Sequence, residues 1–125
     1  HVEEYDSWYD RYPFVFQSEV EAIRSMLPPG NSFGIEVGLG TGRFAKALGI
    51  KEGVAPSAPM REMAIERGIE AMDGTAEILP YKDLHFDFVL MASCIGYFHN
   101  KKIFFLKTCL NVNTTHRLVK FYCIG

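Results

Sequence analysis

The chain has 125 residues, 48% of them hydrophobic, 14% aromatic and 22% charged. That is the length of one domain, apolar enough to bury a core and too apolar for a disordered segment. A net charge of −2 argues against nucleic acid as a partner. The longest uncharged apolar stretch, Phe88 to Phe98, falls short of the roughly 18 residues a membrane span needs.

No charged-then-apolar leader opens the chain, so no signal peptide is expected and the localisation is read as cytoplasmic. Residues 3–12, EEYDSWYDRY, are aromatic and acidic and predict a short helix. Ser18 and Glu21 have capping-box spacing and predict a helix opening there and running to about Leu27, with Val20, Ile23 and Leu27 on one face. Pro28-Pro29-Gly30 stops it. Phe33 to Val37 reads as a strand, Gly38 to Gly42 as a tight loop, and Arg43 to Leu48 as a helix capped by Gly49. Ile50 to Ala55 reads as a second strand. Ser57 caps a helix that runs to Arg67 and ends at Gly68. Ile69 to Met72 is a third strand, Asp73-Gly74 a turn, and Thr75 to Leu79 one helical turn before Pro80. Phe86 to Ala92 is the most apolar strand, as expected for one buried on both faces. Lys101 to Leu110 reads as a helix and Leu118 to Ile124 as a fifth strand.

Strands alternating with helices imply βαβ units, hence an α/β domain with a mostly parallel sheet. The right-handed crossover rule then sets the glycine loop at the carboxyl end of the first strand, where such sheets bind ligands. In EVGLGTG the glycines fall at 38, 40 and 42. A dinucleotide fingerprint wants them at offsets 0, 2 and 5; offset 5 is Arg43, so an NAD-dependent oxidoreductase fits poorly. The Gly-Lys-Ser/Thr of a phosphate-binding loop is missing as well. Three glycines with an acid two residues upstream exceed what a plain strand-to-helix turn requires, and point to a ligand.

The three cysteines, Cys94, Cys109 and Cys123, form no C-x-x-C pair, so no metal site is expected and the thiols read as reduced and packed in the core. Charge is uneven along the chain. Residues 1–99 hold 8 basic and 15 acidic groups, net −7, whereas residues 100–125 hold 5 basic groups and no acid, net +5.

FGIEVGLGTGRFAKAL resembles motif I of class I S-adenosylmethionine-dependent methyltransferases, in particular the small-molecule branch of the ubiquinone and menaquinone-biosynthesis type. Gly53-Val54-Ala55-Pro56-Ser57 with Met60, Asp73 to Pro80, Phe86 to Met91 and EEYDSWYD resemble four further segments of that family in the right order. The resemblance implies a Rossmann-like three-layer sandwich, with residues 1–30 as an N-terminal helical cap and 31–125 as the core. It implies S-adenosylmethionine as cofactor, S-adenosylhomocysteine as product and a small molecule as methyl acceptor. Glu36 with the backbone of Gly38, Gly40 and Gly42 would hold the methionine part. Pro56 and Met60 would flank the adenine, and Thr75 and Ala76 would meet its edge. Ser93 and Cys94 would line the floor near the sulfonium. Tyr5, Trp8, Tyr9 and Tyr12 are candidates for a lid. No catalytic residue is assigned; His99 lies where a base could sit, but a lone histidine there is more often a packing residue.

Three departures stand out. The family's ribose-binding acid at the end of the second strand is Ala55 here. The glycine-rich link before the fifth strand is replaced by Asn113-Thr114-Thr115-His116. The family has seven strands, and this sequence predicts five. That reads either as part of a methyltransferase, or as a short relative that pairs the edge of strand 118–124 in a homodimer. A non-catalytic domain that kept the fold and lost the chemistry is the alternative function, favoured by Ala55 and the missing strands.

Overall fold

The computed structural model describes residues 1–27, 30, 32–75, 78, 80 and 86–92. Two helices come first, α1 (Val2–Arg11) and α2 (Pro13–Arg24), separated by Tyr12 alone. The Tyr12 amide donates to the Trp8 carbonyl and closes α1, while the same residue caps α2. The expected start of the second helix at a Ser18–Glu21 box is therefore corrected: α2 begins five residues earlier. Pro13 explains it, because at the first helical position its fixed φ suits the helix and its missing N–H is no loss. Ser18 lies inside the helix and its Oγ donates back to the Phe14 carbonyl at 2.8 Å, a bond to the preceding turn rather than a cap.

The two helices differ in what they bury. α2 sends Val20 and Ile23 into the core, with Ile23 fully covered. α1 buries a single side chain, and it is a carboxylate, Asp6.

The strands are β1 (Gly34–Val37), β2 (Glu52–Val54), β3 (Glu70–Met72) and β4 (Phe88–Leu90), with α3 (Arg43–Leu48) between β1 and β2 and α4 (Ala58–Glu66) between β2 and β3. All pairings are parallel and the order is β3-β2-β1-β4. β1 is buried at all four positions, as a central parallel strand covered on both faces must be. Every strand is shorter than its apolar run suggested. The three-residue ladders of β2 and β3 limit regular pairing, although the Ala55 amide still reaches the Met72 carbonyl at 3.1 Å.

α3 matches its expected bounds, and Gly49 ends it at φ 73°. Ser57 caps α4 by accepting from the Met60 amide, as its residue type predicts. Phe44, Ala45, Ile50, Ala64 and Ile69 pack with β4 and α2 in one core. Among the described residues no helix is long and apolar enough to cross a membrane. The expected helix 101–110 and strand 118–124, with the homodimer edge, lie outside the described residues, as does most of the turn at 75–79.

This order positions the site. The chain steps outward from β1 to β3, then returns to the other side of β1 for β4. The strand order reverses between β1 and β4, and a parallel sheet opens a crevice beyond its carboxyl ends at that point. The described residues that follow β1, β2, β3 and β4 all lie along that one edge.

Candidate functional site

Glu36 is the third residue of β1, in register with Gly53 of β2 and Leu90 of β4. It is only 1% exposed. Its Oε2 is buried and has no hydrogen-bond partner among the described residues. Burial pushes its carboxyl well above the usual range, because the charged form loses its hydration. An unpartnered buried carboxyl oxygen is costly to keep and calls for a donor from a ligand. A cavity of about 30 Å³ adjoins it, walled by Tyr5 and Tyr9 of α1, by Gly38 and Gly40 of the loop, and by Ala92 beyond β4.

The glycines of the loop have separate reasons. Gly38, Gly40 and Gly42 all have positive φ, 76°, 59° and 83°. At Gly40 nothing stands within 4 Å of where a Cβ would be, so the left-handed backbone alone demands glycine, and the space beside it is free for a ligand. Gly42 faces α4: a Cβ there would stand 3.0 Å from the Ala64 Cβ. Expected as a cofactor residue, it is accounted for by packing and does not line the Glu36 cavity. The Gly38 and Leu39 amides both donate to the Val54 carbonyl, at 3.0 and 2.9 Å. Gly38 thus offers a ligand its carbonyl and its missing side chain rather than its N–H.

A polar cluster that sequence reasoning missed fastens α1 to this loop. Asp6 accepts from Thr41 Oγ1 at 2.5 Å, from Arg43 Nε and Nη2 at 2.9 and 2.7 Å, and from Arg67 Nη1 and Nη2 at 2.9 and 2.6 Å. Arg67 Nη1 also donates to the Thr41 carbonyl at 2.7 Å, and Arg43 reaches Asp10 at 2.9 Å. Burial alone would raise the Asp6 carboxyl, but the hydrogen bonds from Arg43, Arg67 and Thr41 outweigh it and hold it far below the usual range. Arg43 is held above its own range by the bonds to Asp6 and Asp10. Arg43 is the residue that broke the dinucleotide fingerprint. That mismatch was the one available signal; a partner 37 residues away has no sequence periodicity to reveal it.

The remaining lid candidates divide. Tyr5 and Tyr9 face the cavity, with their hydroxyls 3.3 Å apart. The Tyr9 ring packs edge-on against Phe16 and Phe44 with the Arg43 guanidinium 5.6 Å above it, and burial pushes its hydroxyl upward. Trp8 and Tyr12 pack on each other with tilted rings, centroids 4.8 Å apart, and do not line the cavity.

Along the same sheet edge, Ala55 follows β2 and is buried; its carbonyl accepts from Arg61 Nη1 at 2.7 Å. Arg61 also pairs with Asp73, beyond β3, at 3.2 Å, and so links the two loops. Pro56 is exposed, Met60 and Thr75 are half-buried, and none of the three lines the Glu36 cavity. Ala76, Ser93 and Cys94 lie outside the described residues.

The model of the family described as a methyltransferase domain matches residues 35–112. The chain belongs to this methyltransferase-domain family. Its relatives include an uncharacterized protein of Methanocaldococcus jannaschii, 42% identical over 102 residues, and one of Mycobacterium tuberculosis, 33% identical over 106 residues. The matches take in 82% and 83% of this chain but only 49% and 37% of those proteins; this methyltransferase-domain chain spans about half the length of its relatives or less.

Among solved structures, a SAM-dependent methyltransferase of Thermotoga maritima is 40% identical with a TM-score of 0.84, covering 90% of this chain and 53% of that one. A Methanococcus maripaludis protein described as a "putative s-adenosyl-l-methionine-dependent methyltransferase" superposes with a TM-score of 0.81 at 15% identity, over 98% of this chain and 61% of that one, which speaks for the fold alone. The expected Rossmann-like α/β fold is therefore the observed one.

S-adenosylmethionine is the cofactor that the family and these neighbours imply. The residues present fit it. The orphaned Glu36 oxygen suits an ammonium donor, and the open flank of Gly40 leaves room for close approach of a ligand to backbone.

Proposed function

We propose that this domain binds S-adenosylmethionine in the crevice between β1 and β4 and serves its methyl transfer to a small-molecule acceptor. The observation that carries the reading is the buried Oε2 of Glu36, without a partner among the described residues, beside the three-glycine loop. When bound, the cofactor supplies a methyl on a sulfonium, already a good electrophile, so the protein's part is orientation and exclusion of water. Burial raises the Glu36 carboxyl, so the unliganded site disfavours its charged form. A cation set against Oε2 favours the carboxylate and offsets that cost of burial. Tyr5 and Tyr9 exclude water from above, and Gly38 and Gly40 admit the ligand close to the backbone. Met60, Pro56, Thr75 and Ala76, with Ser93 and Cys94, are proposed for the adenosyl and sulfonium parts on the strength of their places in the family motifs.

The Thermotoga neighbour is described as a "possible histamine N-methyltransferase", which makes small amines the first acceptors to assay. Placement in the ubiquinone and menaquinone-type branch rests on the motif resemblance. A non-catalytic binding domain is the second reading, favoured by Ala55, which sets a buried methyl where a ribose-binding carboxylate is expected. Calorimetric titration with S-adenosylmethionine, followed by a methyl-transfer assay on amines, separates them. Binding and turnover support the first reading, whereas binding without turnover on any acceptor, or no binding at millimolar cofactor, supports the second.

A further inference from the structure

α1 is an unusual lid. Tyr5 and Tyr9 wall the Glu36 cavity, yet the one side chain α1 buries is Asp6. Among the described residues, apart from the half-buried Tyr9 against Phe16 and Phe44, α1 is held to the body by charge and hydrogen bonds. Its four ionic groups balance: Asp6 and Asp10 on α1, Arg43 at the start of α3 and Arg67 just past α4. A buried ion cluster fixes geometry strongly while adding little net stability, since the charges regain hydration when it opens. An element with few buried apolar contacts opens locally more readily than the sheet beneath it.

The closed position leaves little room. The cavity under Tyr5 and Tyr9 holds about 30 Å³, whereas small-molecule sites enclose roughly 300–1,000 Å³. That is space for one or two waters, not for the aminobutyrate arm of a nucleoside cofactor. Among the described walls of the cavity α1 is the one outside the sheet and its first loop and helix, so access to Glu36 is read as a movement of α1, and among the described residues what holds α1 centres on Asp6.

We propose that Asp6 is a positioning residue: through Thr41, Arg43 and Arg67 it clasps α1 across the glycine loop, and the cofactor passes to and from Glu36 only while this clasp is open. The proposal rests on the cofactor site proposed above. It separates α1's two tasks along the helix, with Tyr5 and Tyr9 covering the ligand and Asp6 timing the cover. It also gives Arg43 and Arg67 a purpose without contact to the cofactor.

Trp8 is the sole tryptophan of the chain and sits on α1, so intrinsic fluorescence reports the lid. Stopped-flow mixing with S-adenosylhomocysteine is run on the full chain, on Asp6→Asn and on Arg67→Gln. Asp6→Asn is expected to speed association and dissociation each by tenfold or more, with a smaller change in the dissociation constant; Arg67→Gln shifts both in the same direction by about threefold. Faster association is the decisive reading, because a variant that is merely destabilised binds more slowly. Association unchanged or slower in both variants overturns the proposal.

An arm without cofactor is amide exchange of the unliganded wild type. α1 amides are expected to exchange at least tenfold faster than those of β1, and equal protection, meaning that α1 opens only when the sheet unfolds, overturns the clasp. Absence of binding heat for the wild type would defeat the reading of the cofactor site instead, leaving the exchange comparison to decide the clasp.

Discussion

Replacing Asp6 by asparagine removes one charge and keeps the shape. In the wild type the carboxylate is 7% exposed and faces two guanidiniums that are 17% and 20% exposed. Breaking a buried ion pair from one side costs about 3–5 kcal/mol, because the partner charge is stranded. Here two cations are stranded together, but α1 can swing away and let water reach them, and Arg43 keeps the exposed Asp10, a pair worth little. A loss of about 2–4 kcal/mol is the expected result, which in a domain of this size lowers Tm by roughly 8–15 °C. The assay is urea unfolding followed by circular dichroism, with the midpoint falling and the slope unchanged. A double-mutant cycle with Arg67→Met isolates the pair, and its coupling is expected at about 1–3 kcal/mol.

The pH dependence has a definite sign. Asp6 has a depressed folded pKa, so its stabilisation is complete above the ordinary value of 3.8 and is lost as pH falls below it. Asp6→Asn should erase that part of the acid transition. A loss under about 1 kcal/mol together with a coupling near zero would refute the assignment of α1's docking to this cluster.

Other expectations concern the site itself. Glu36→Gln should weaken S-adenosylmethionine binding at least tenfold, since a charge-assisted bond is worth about 1.5–3 kcal/mol; unliganded, it should gain stability relative to wild type as pH rises above 4.5, where the buried wild-type carboxyl resists ionising. Equal midpoints for the two proteins from pH 5 to pH 8 would contradict the raised carboxyl. Ala55→Asp should tighten cofactor binding by roughly ten- to a hundredfold if the ribose lies beyond β2, while lowering unliganded stability because the position is buried; unchanged affinity in calorimetry would place the ribose elsewhere. Gly42→Ala, which puts a methyl 3.0 Å from Ala64 in a left-handed backbone, should lower the urea midpoint by the equivalent of about 1–3 kcal/mol. Gly40→Ala has room for its methyl, so its stability loss should be the smaller, and its effect should fall on cofactor affinity.

Much of the fold was legible because local chemistry and tertiary structure agree. Gly49, Ser57 and Gly68 mark helix ends by rules that depend on a few neighbouring atoms, and all three behave as expected. α2 was misplaced because a serine–glutamate spacing competes with a proline at the first helical turn, and proline's fixed φ acts whatever surrounds it. Strand ends were overdrawn because apolar runs such as Phe86–Ala92 signal burial, while pairing also needs a partner of equal length. In the site, Glu36 and the glycines could be read because a strand-to-helix turn has strict backbone demands. The Asp6 cluster could not, since its members lie at positions 6, 10, 41, 43 and 67 and only the fold brings them together.

The most direct measurement is calorimetric titration of the 125-residue chain with S-adenosylmethionine, on the wild type and on Glu36→Gln. The expected result is a dissociation constant at or below about 50 µM, near −6 kcal/mol, weakened at least tenfold in Glu36→Gln. No heat at millimolar cofactor would contradict the cofactor site, and tight binding with the same affinity in Glu36→Gln would remove Glu36 from it.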